Sequence, residues 1–207
     1  GLLLRILRSI IDFYVDKDAV VYVNLAKELA TSSLSNAFDS APRMPPLFIS
    51  LMAFGEKLGL GAANAGLAVS IISGILLVVL VYLIAKKIFS EEIALVAVFL
   101  ATTQSYLIRD SAEIMRDSLF MCLLFASLYF ALLAISQKEN SQNSSRFVSL
   151  SFFNKEPLRY WYLCGFFAGL SVLTRSEGHE VIATFCLWSF YNFFIRYQTS
   201  TLSIFIK

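Results

Sequence analysis

Of the 207 residues, 57% are hydrophobic, with 19 Phe and 9 Tyr, and the mean hydropathy is +0.69; a soluble domain of this length does not normally carry so much apolar surface. The formal charge is only +2 and the basic residues are scattered, which excludes a nucleic-acid partner and a polybasic lipid-binding segment. Cys122, Cys164 and Cys186 each sit in an apolar run without metal-ligand or disulfide-framework spacing, and read as core thiols.

The opening run GLLLRILRSIIDFYV is interrupted by Arg5 and Arg8. It is neither a clean spanning helix nor a signal peptide, and a first spanning segment is expected upstream of it. Asp16 and Asp18 then head a helical pattern in which Asp18, Tyr22 and Ala26 recur every four residues and share a face. Either acid also suits a plain N-cap, because negative charge is favourable at a helix start. Downstream, Pro45-Pro46 sets a rigid corner, and Leu47 to Leu58 reads as an amphipathic helix lying on the bilayer surface. Residues from about 16 to 60 thus form an outer loop with two interfacial helices.

A bilayer core of roughly 30 Å needs about 20 helical residues. Ala62 to Ala85 meets that length without a charge, and Lys86 and Lys87 follow as a cytoplasmic stop signal. A turn at Ser90-Glu91-Glu92 leads to a shorter apolar run, 93–108, which ends in a charged cluster; the next span is 118–135. Residues 137–159 are polar and carry Lys138, Arg146, Lys155 and Arg159, marking a loop on the side of Lys86 and Lys87. Two further spans, 160–174 and 181–195, are flanked by Tyr and Trp. The expected fold is all-α: a polytopic membrane protein with about five membrane helices and surface-lying helices in its first outer loop. The sequon at Asn143 falls on the cytoplasmic side and reads as chance.

This topology collects carboxylates and arginines on the opposite face, at the membrane boundary, where such groups are costly unless paired or used. The spacing of Arg109, Asp110, Glu113, Arg116 and Asp117 allows ion pairs that simply finish two helix ends. Arg175 and Glu177 allow a local pair, with Gly178 permitting a helix end. His179 reads as an interfacial side chain, and the aromatic stripe from Phe185 to Phe194 as lipid-facing or helix-packing surface.

Four segments, in order, carry a resemblance: D-A-V-V-Y-V-N-L-A at 18–26, R-M-P-P-L at 43–47, R-D-S-L-F at 116–120 and G-L-S-V-L-T-R-S-E-G at 169–178. Together they resemble the C-type membrane glycosyltransferases that use polyprenyl-phosphate sugars, which include protein O-mannosyltransferases and lipid A aminoarabinose transferases. The resemblance implies a catalytic acid at Asp18, four residues before Tyr22, and a second acid at Asp117 where a spanning helix begins. It covers nearly all of this chain but only the N-terminal half of a family member, so later helices and any soluble domain are expected elsewhere and this stretch alone is expected to be inactive. The aminoarabinose transferases have a lysine just before their proline, where this sequence has Met44 with Arg43 one position earlier, and Ser118 follows the second acid where many members have proline.

The implied reaction is transfer of a hexosyl or pentosyl group from a polyprenyl-phosphate donor to a hydroxyl of a protein or lipid acceptor, on the non-cytoplasmic face of a bacterial or archaeal plasma membrane or of the endoplasmic reticulum. A base takes the acceptor proton while the anomeric carbon passes through an oxocarbenium-like state, and Asp18 is the expected base. The departing phosphate needs a cation rather than a proton. Tyr22, Arg43, Arg109, Arg116, Arg175 and Glu177 are the expected substrate-binding residues, and Asp117 is an expected ligand should a divalent metal ion take part. A different class, a non-catalytic transporter or scaffold, would place charges within discontinuous helices near the midplane; the clear spans at 62–85 and 118–135 are uncharged.

Overall fold

A computed structural model describes residues 3, 5, 6, 8, 17–31, 44, 46–144, 155–188 and 190–191, with the backbone alone for 137–144 and 155–157. All regular structure among the described residues is helical: α1 (Lys17–Thr31), α2 (Pro46–Lys57), α3 (Ala62–Ile88), α4 (Glu91–Thr103), α5 (Ser105–Ala112), α6 (Asp117–Ser144), α7 (Lys155–Val172), and residues 178–188. The protein is an all-α membrane protein. Ala62–Ile88 and Asp117–Ser136 are long and apolar enough to cross a bilayer, and α4 with α5, bent by 57° between them, makes a third crossing if the pair is one span.

Each turn has a local cause. Gly59 and Gly61 hold φ of 83° and 82°, a region closed to most side chains, and so α2 reverses into α3 within four residues. At the far end of α3, Lys86 forms an ion pair with Glu91 at 3.0 Å, and the Tyr82 hydroxyl donates to the same carboxylate at 2.9 Å. Cations in the last turn of α3 and Glu91 and Glu92 in the first turn of α4 also suit the two helix dipoles. The bend between α4 and α5 falls at Gln104, whose backbone is extended, and the Thr102 and Thr103 hydroxyls just before it donate to the Phe99 carbonyl. The sequence suggests one run over 93–108; the chain there is two helices, because α5 (SYLIRDSA) is amphipathic where α4 is apolar. Helix α6 also runs on to Ser144, into residues expected to be loop.

Helices α1 and α2 pack over α3 and the start of α6. Helix α1 buries Ala19, Tyr22, Leu25, Ala26 and Leu29, an i, i+3, i+4 stripe, while α2 buries Phe48, Ile49, Met52 and Ala53. The two stripes meet at Tyr22 and Phe48, whose rings are edge-on at 5.7 Å, and Ile114, Leu119 and Leu123 close the cluster from below. Leu51 and Phe54 on α2, and Leu58 just after it, are exposed, the face expected of a helix resting on lipid. Antiparallel α6 and α7 are joined by Phe130 stacked on Phe167 at 5.4 Å and by the Ser127 hydroxyl donating to the Cys164 carbonyl at 3.0 Å, a small polar bond of the kind that joins membrane helices.

Candidate functional site

The charged residues of the expected site gather where α6 begins and α7 ends. Asp117 opens α6. Its position is fixed from α3: the Ser118 hydroxyl donates to the Ser70 carbonyl at 3.0 Å, and the Ser70 hydroxyl donates to the Met115 carbonyl at 3.1 Å. The Asp117 carboxylate forms an ion pair with the Arg175 guanidinium. The sequence left open a pairing of Asp117 within its own segment; the pairing instead reaches to a residue 58 positions away.

Arg175 is held by a tight turn after α7. Thr174 and Ser171 are fully buried, and both hydroxyls donate to carbonyls of the preceding turn. Gly178 folds back so closely that a Cβ there would lie 2.6 Å from the Val172 backbone, so no other residue fits without moving the turn. The result places Arg175 between two acids: Nη1 on Asp117 and Nη2 on Glu177 Oε1 at 3.0 Å. Its planar head lies 6.0 Å from the Phe120 ring centroid, within cation–π range. Arg175 Nε is buried and finds no hydrogen-bond partner among the described residues. Hydrogen bonds from Arg175, then from its own backbone N–H and from Ser176, hold the Glu177 carboxyl down at a pKa of about 2.

Three contacts join the four segments singled out in the sequence. Tyr22 on Phe48 links 18–26 to α2, the helix that starts within 43–47; the Leu47 N–H donates to the Leu173 carbonyl at 3.2 Å, linking 43–47 to 169–178; and Asp117 on Arg175 links 116–120 to 169–178. Asp18 stands exposed in the first turn of α1, at the end of that helix's buried stripe. Tyr22, expected to touch substrate, is 1% exposed and enclosed in the core. Arg43 and Asp16 lie outside the described residues. Arg109 pairs with its neighbour Asp110 at 3.1 Å and covers the Tyr106 ring at 5.2 Å, and half-buried Arg116 lies one residue before Asp117. The Arg175 guanidinium engages one oxygen of the Asp117 carboxylate, and no three His, Cys, Asp or Glu side chains converge among the described residues.

The sequence reading missed Arg5. It is 1% exposed, and its Nε donates to Ser111 Oγ on α5 at 2.8 Å. The signal was present, a charge in a greasy run, but it read as an interruption of a helix rather than as a buried group.

Fold and site together define a polytopic helical membrane protein with a clasped cluster of acids and arginines at one end of its helices. The chain belongs to the dolichyl-phosphate-mannose-protein mannosyltransferase family, whose sequence model matches residues 43–204. It is therefore a membrane glycosyltransferase of the mannosyltransferase type. The match takes in three of the four segments and begins after Asp18. Comparison with curated proteins and with solved structures returned no match.

Proposed function

We propose that the protein transfers a sugar, mannose by its family, from a polyprenyl-phosphate donor of the dolichyl kind to a hydroxyl of a protein or lipid acceptor, at the non-cytoplasmic face of its membrane. The observation that carries this reading is the convergence of four segments from across the chain on one end of the bundle. A scaffold needs no such convergence of charge, and a transporter would place it nearer the midplane.

In this reading Asp18 is the general base. It takes the acceptor hydroxyl proton as the oxygen attacks the anomeric carbon; the bond from that carbon to the phosphate oxygen breaks, and the electron pair leaves with the polyprenyl phosphate, which needs no proton. Tyr22 is a positioning residue, since its buried ring fixes the first turn of α1 against α2. The Asp117, Arg175 and Glu177 clasp holds the end of α7 at the start of α6 and leaves Arg175 Nε to meet a bound oxygen. Arg43, Arg109 and Arg116 complete the proposed substrate-side cations. Five crossings result if the α4 and α5 pair, α7 and the helix at 178–188 each cross.

The test is transfer from a panel of radiolabelled polyprenyl-phosphate sugars by membranes holding the complete protein, with Asp18→Asn beside it. Wild type is expected to use the mannosyl donor, and Asp18→Asn to transfer about 100-fold less or lower still while inserting normally. Undiminished transfer by the variant would remove Asp18 from the mechanism.

A further inference from the structure

The Arg5 guanidinium is enclosed between α3 and α5 at a berth that only glycine provides. A Cβ on Gly74 would lie 3.2 Å from Arg5 Nε and 2.4 Å from Ser111 Cβ. Ser111 uses its hydroxyl hydrogen on the Leu107 or Ile108 carbonyl of its own helix, which leaves the oxygen lone pair to accept from Arg5 Nε at 2.8 Å. The Nε–H is thus satisfied. Nη2 is buried and has no partner among the described residues, and the group that accepts from Nε is a neutral hydroxyl. A buried positive charge in a membrane protein is costly unless it is paired, and an anion is its strongest partner.

Depth says which anion. Gly74 stands four residues beyond Ser70 on α3, about 6 Å further along the axis, and Ser70 is bonded to the segment that flanks Asp117. Arg5 therefore sits about one helical turn deeper than the acid cluster, measured from the α2 end of α3. A lipid-linked sugar presents its groups in a fixed order from the membrane surface inward: sugar, phosphate, hydrocarbon tail. With the sugar at the level of the acids, the phosphate falls below them. Arg175 is flanked there by two carboxylates and Arg109 by one, whereas Arg5 meets a neutral hydroxyl.

We propose that Arg5, oriented by Ser111 and admitted by Gly74, is an oxyanion-binding residue that takes the phosphate of the polyprenyl carrier. This deepens the donor assignment made above and rests on it. The chemistry recognised is a phosphate oxygen, for which the planar guanidinium fork is suited; a carboxylate from elsewhere in the protein would be the other source of such an oxygen.

The experiment compares binding of farnesyl phosphate and farnesol to the complete protein in lipid nanodiscs by calorimetry. Wild type is expected to favour the phosphate by about tenfold or more, the worth of one charge-assisted hydrogen bond. Arg5→Gln is expected to lose that preference with farnesol binding unchanged, and Arg5→Lys to keep part of it. If Arg5→Gln keeps the full preference, the proposal is overturned and the donor assignment survives; a fall in thermal stability alone then points to a protein carboxylate as the partner. If wild type has no preference for the phosphate, both fall. Should Arg5→Gln fail to insert, Ser111→Ala decides, since it keeps the charge but frees Nε: a preference reduced several-fold supports the site, and an unchanged one overturns it.

Discussion

Arg175 shares its guanidinium between Asp117 and Glu177, and the two halves of that clasp respond differently to change. The Asp117 half joins α7 to α6 and is partly buried, with side-chain exposures of 33% and 25%. Asp117→Asn is expected to cost about 1–2 kcal/mol, the range of a charged hydrogen bond discounted for its partial exposure to solvent, readable as a lowered melting temperature in detergent. The Glu177 half is local and pH-dependent. Its carboxyl has a folded pKa depressed from 4.5 to about 2, so its contribution is fully present above pH 4.5 and is lost as pH falls toward about 2. Hydrogen exchange across residues 174–179 should be flat in protection from pH 8 to 5 and rise below about 4.5, and Glu177→Gln should abolish that rise. Acids and arginines at 116–120 and 169–178 were legible because charge at a membrane boundary is costly and stands out in a greasy sequence. The local pair of Arg175 with Glu177 was legible from its spacing; the pair of Arg175 with Asp117 was not, since it depends on two helix ends meeting 58 residues apart.

Among the helices, small residues decide where close contact is made. A Cβ on Gly55 would lie 2.4 Å from the Ala65 Cβ, and one on Gly66 would lie 2.7 Å from Ile114 Cγ2; at these two points α2 and the 113–116 turn approach the α3 backbone. Gly165 and Gly169, in α7, have nothing within 4 Å of a built Cβ. Gly55→Ala is expected to push α2 off α3 and destabilise by about 1–3 kcal/mol, whereas Gly165→Ala should change the melting temperature little. Equal effects from the two would show that α2 is not held by this contact. Helices α1 and α2 were readable from periodicity, the reading of 47–58 for α2 falling one residue from the observed Pro46–Lys57. The break at Gln104 was not, because hydropathy averages over the apolar α4 and the amphipathic α5 and reports one short run.

At the scale of the whole molecule, the contacts along α3 argue that the bent pair crosses the membrane. The pair starts at Glu91, clasped to Lys86 at one end of α3, and leads to Ile114 and Met115, which touch Gly66 and Ser70 near the other end. From Ser70 to Ile88 is about 27 Å of helix, close to the roughly 30 Å hydrocarbon core, so the chain climbs nearly the full height of α3 despite its bend. Helix α7 returns to the same end as Asp117, because Leu173 accepts from Leu47 at the head of α2. Lys57 and Arg175 then share one face of the membrane, and Lys87 lies at the other. Thiol labelling tests this arrangement on a background in which exposed Cys186 is replaced by Ser and buried Cys122 and Cys164 are kept. A membrane-impermeant maleimide applied from the non-cytoplasmic side should label Lys57→Cys in sealed vesicles and Lys87→Cys only after permeabilisation. Labelling of Ser176→Cys with the same accessibility as Lys57→Cys would establish an even number of crossings between them. Ser176→Cys that instead behaves like Lys87→Cys would mean that the bent pair is a re-entrant loop, and would separate the Arg175 turn from the outer face on which the proposed chemistry depends.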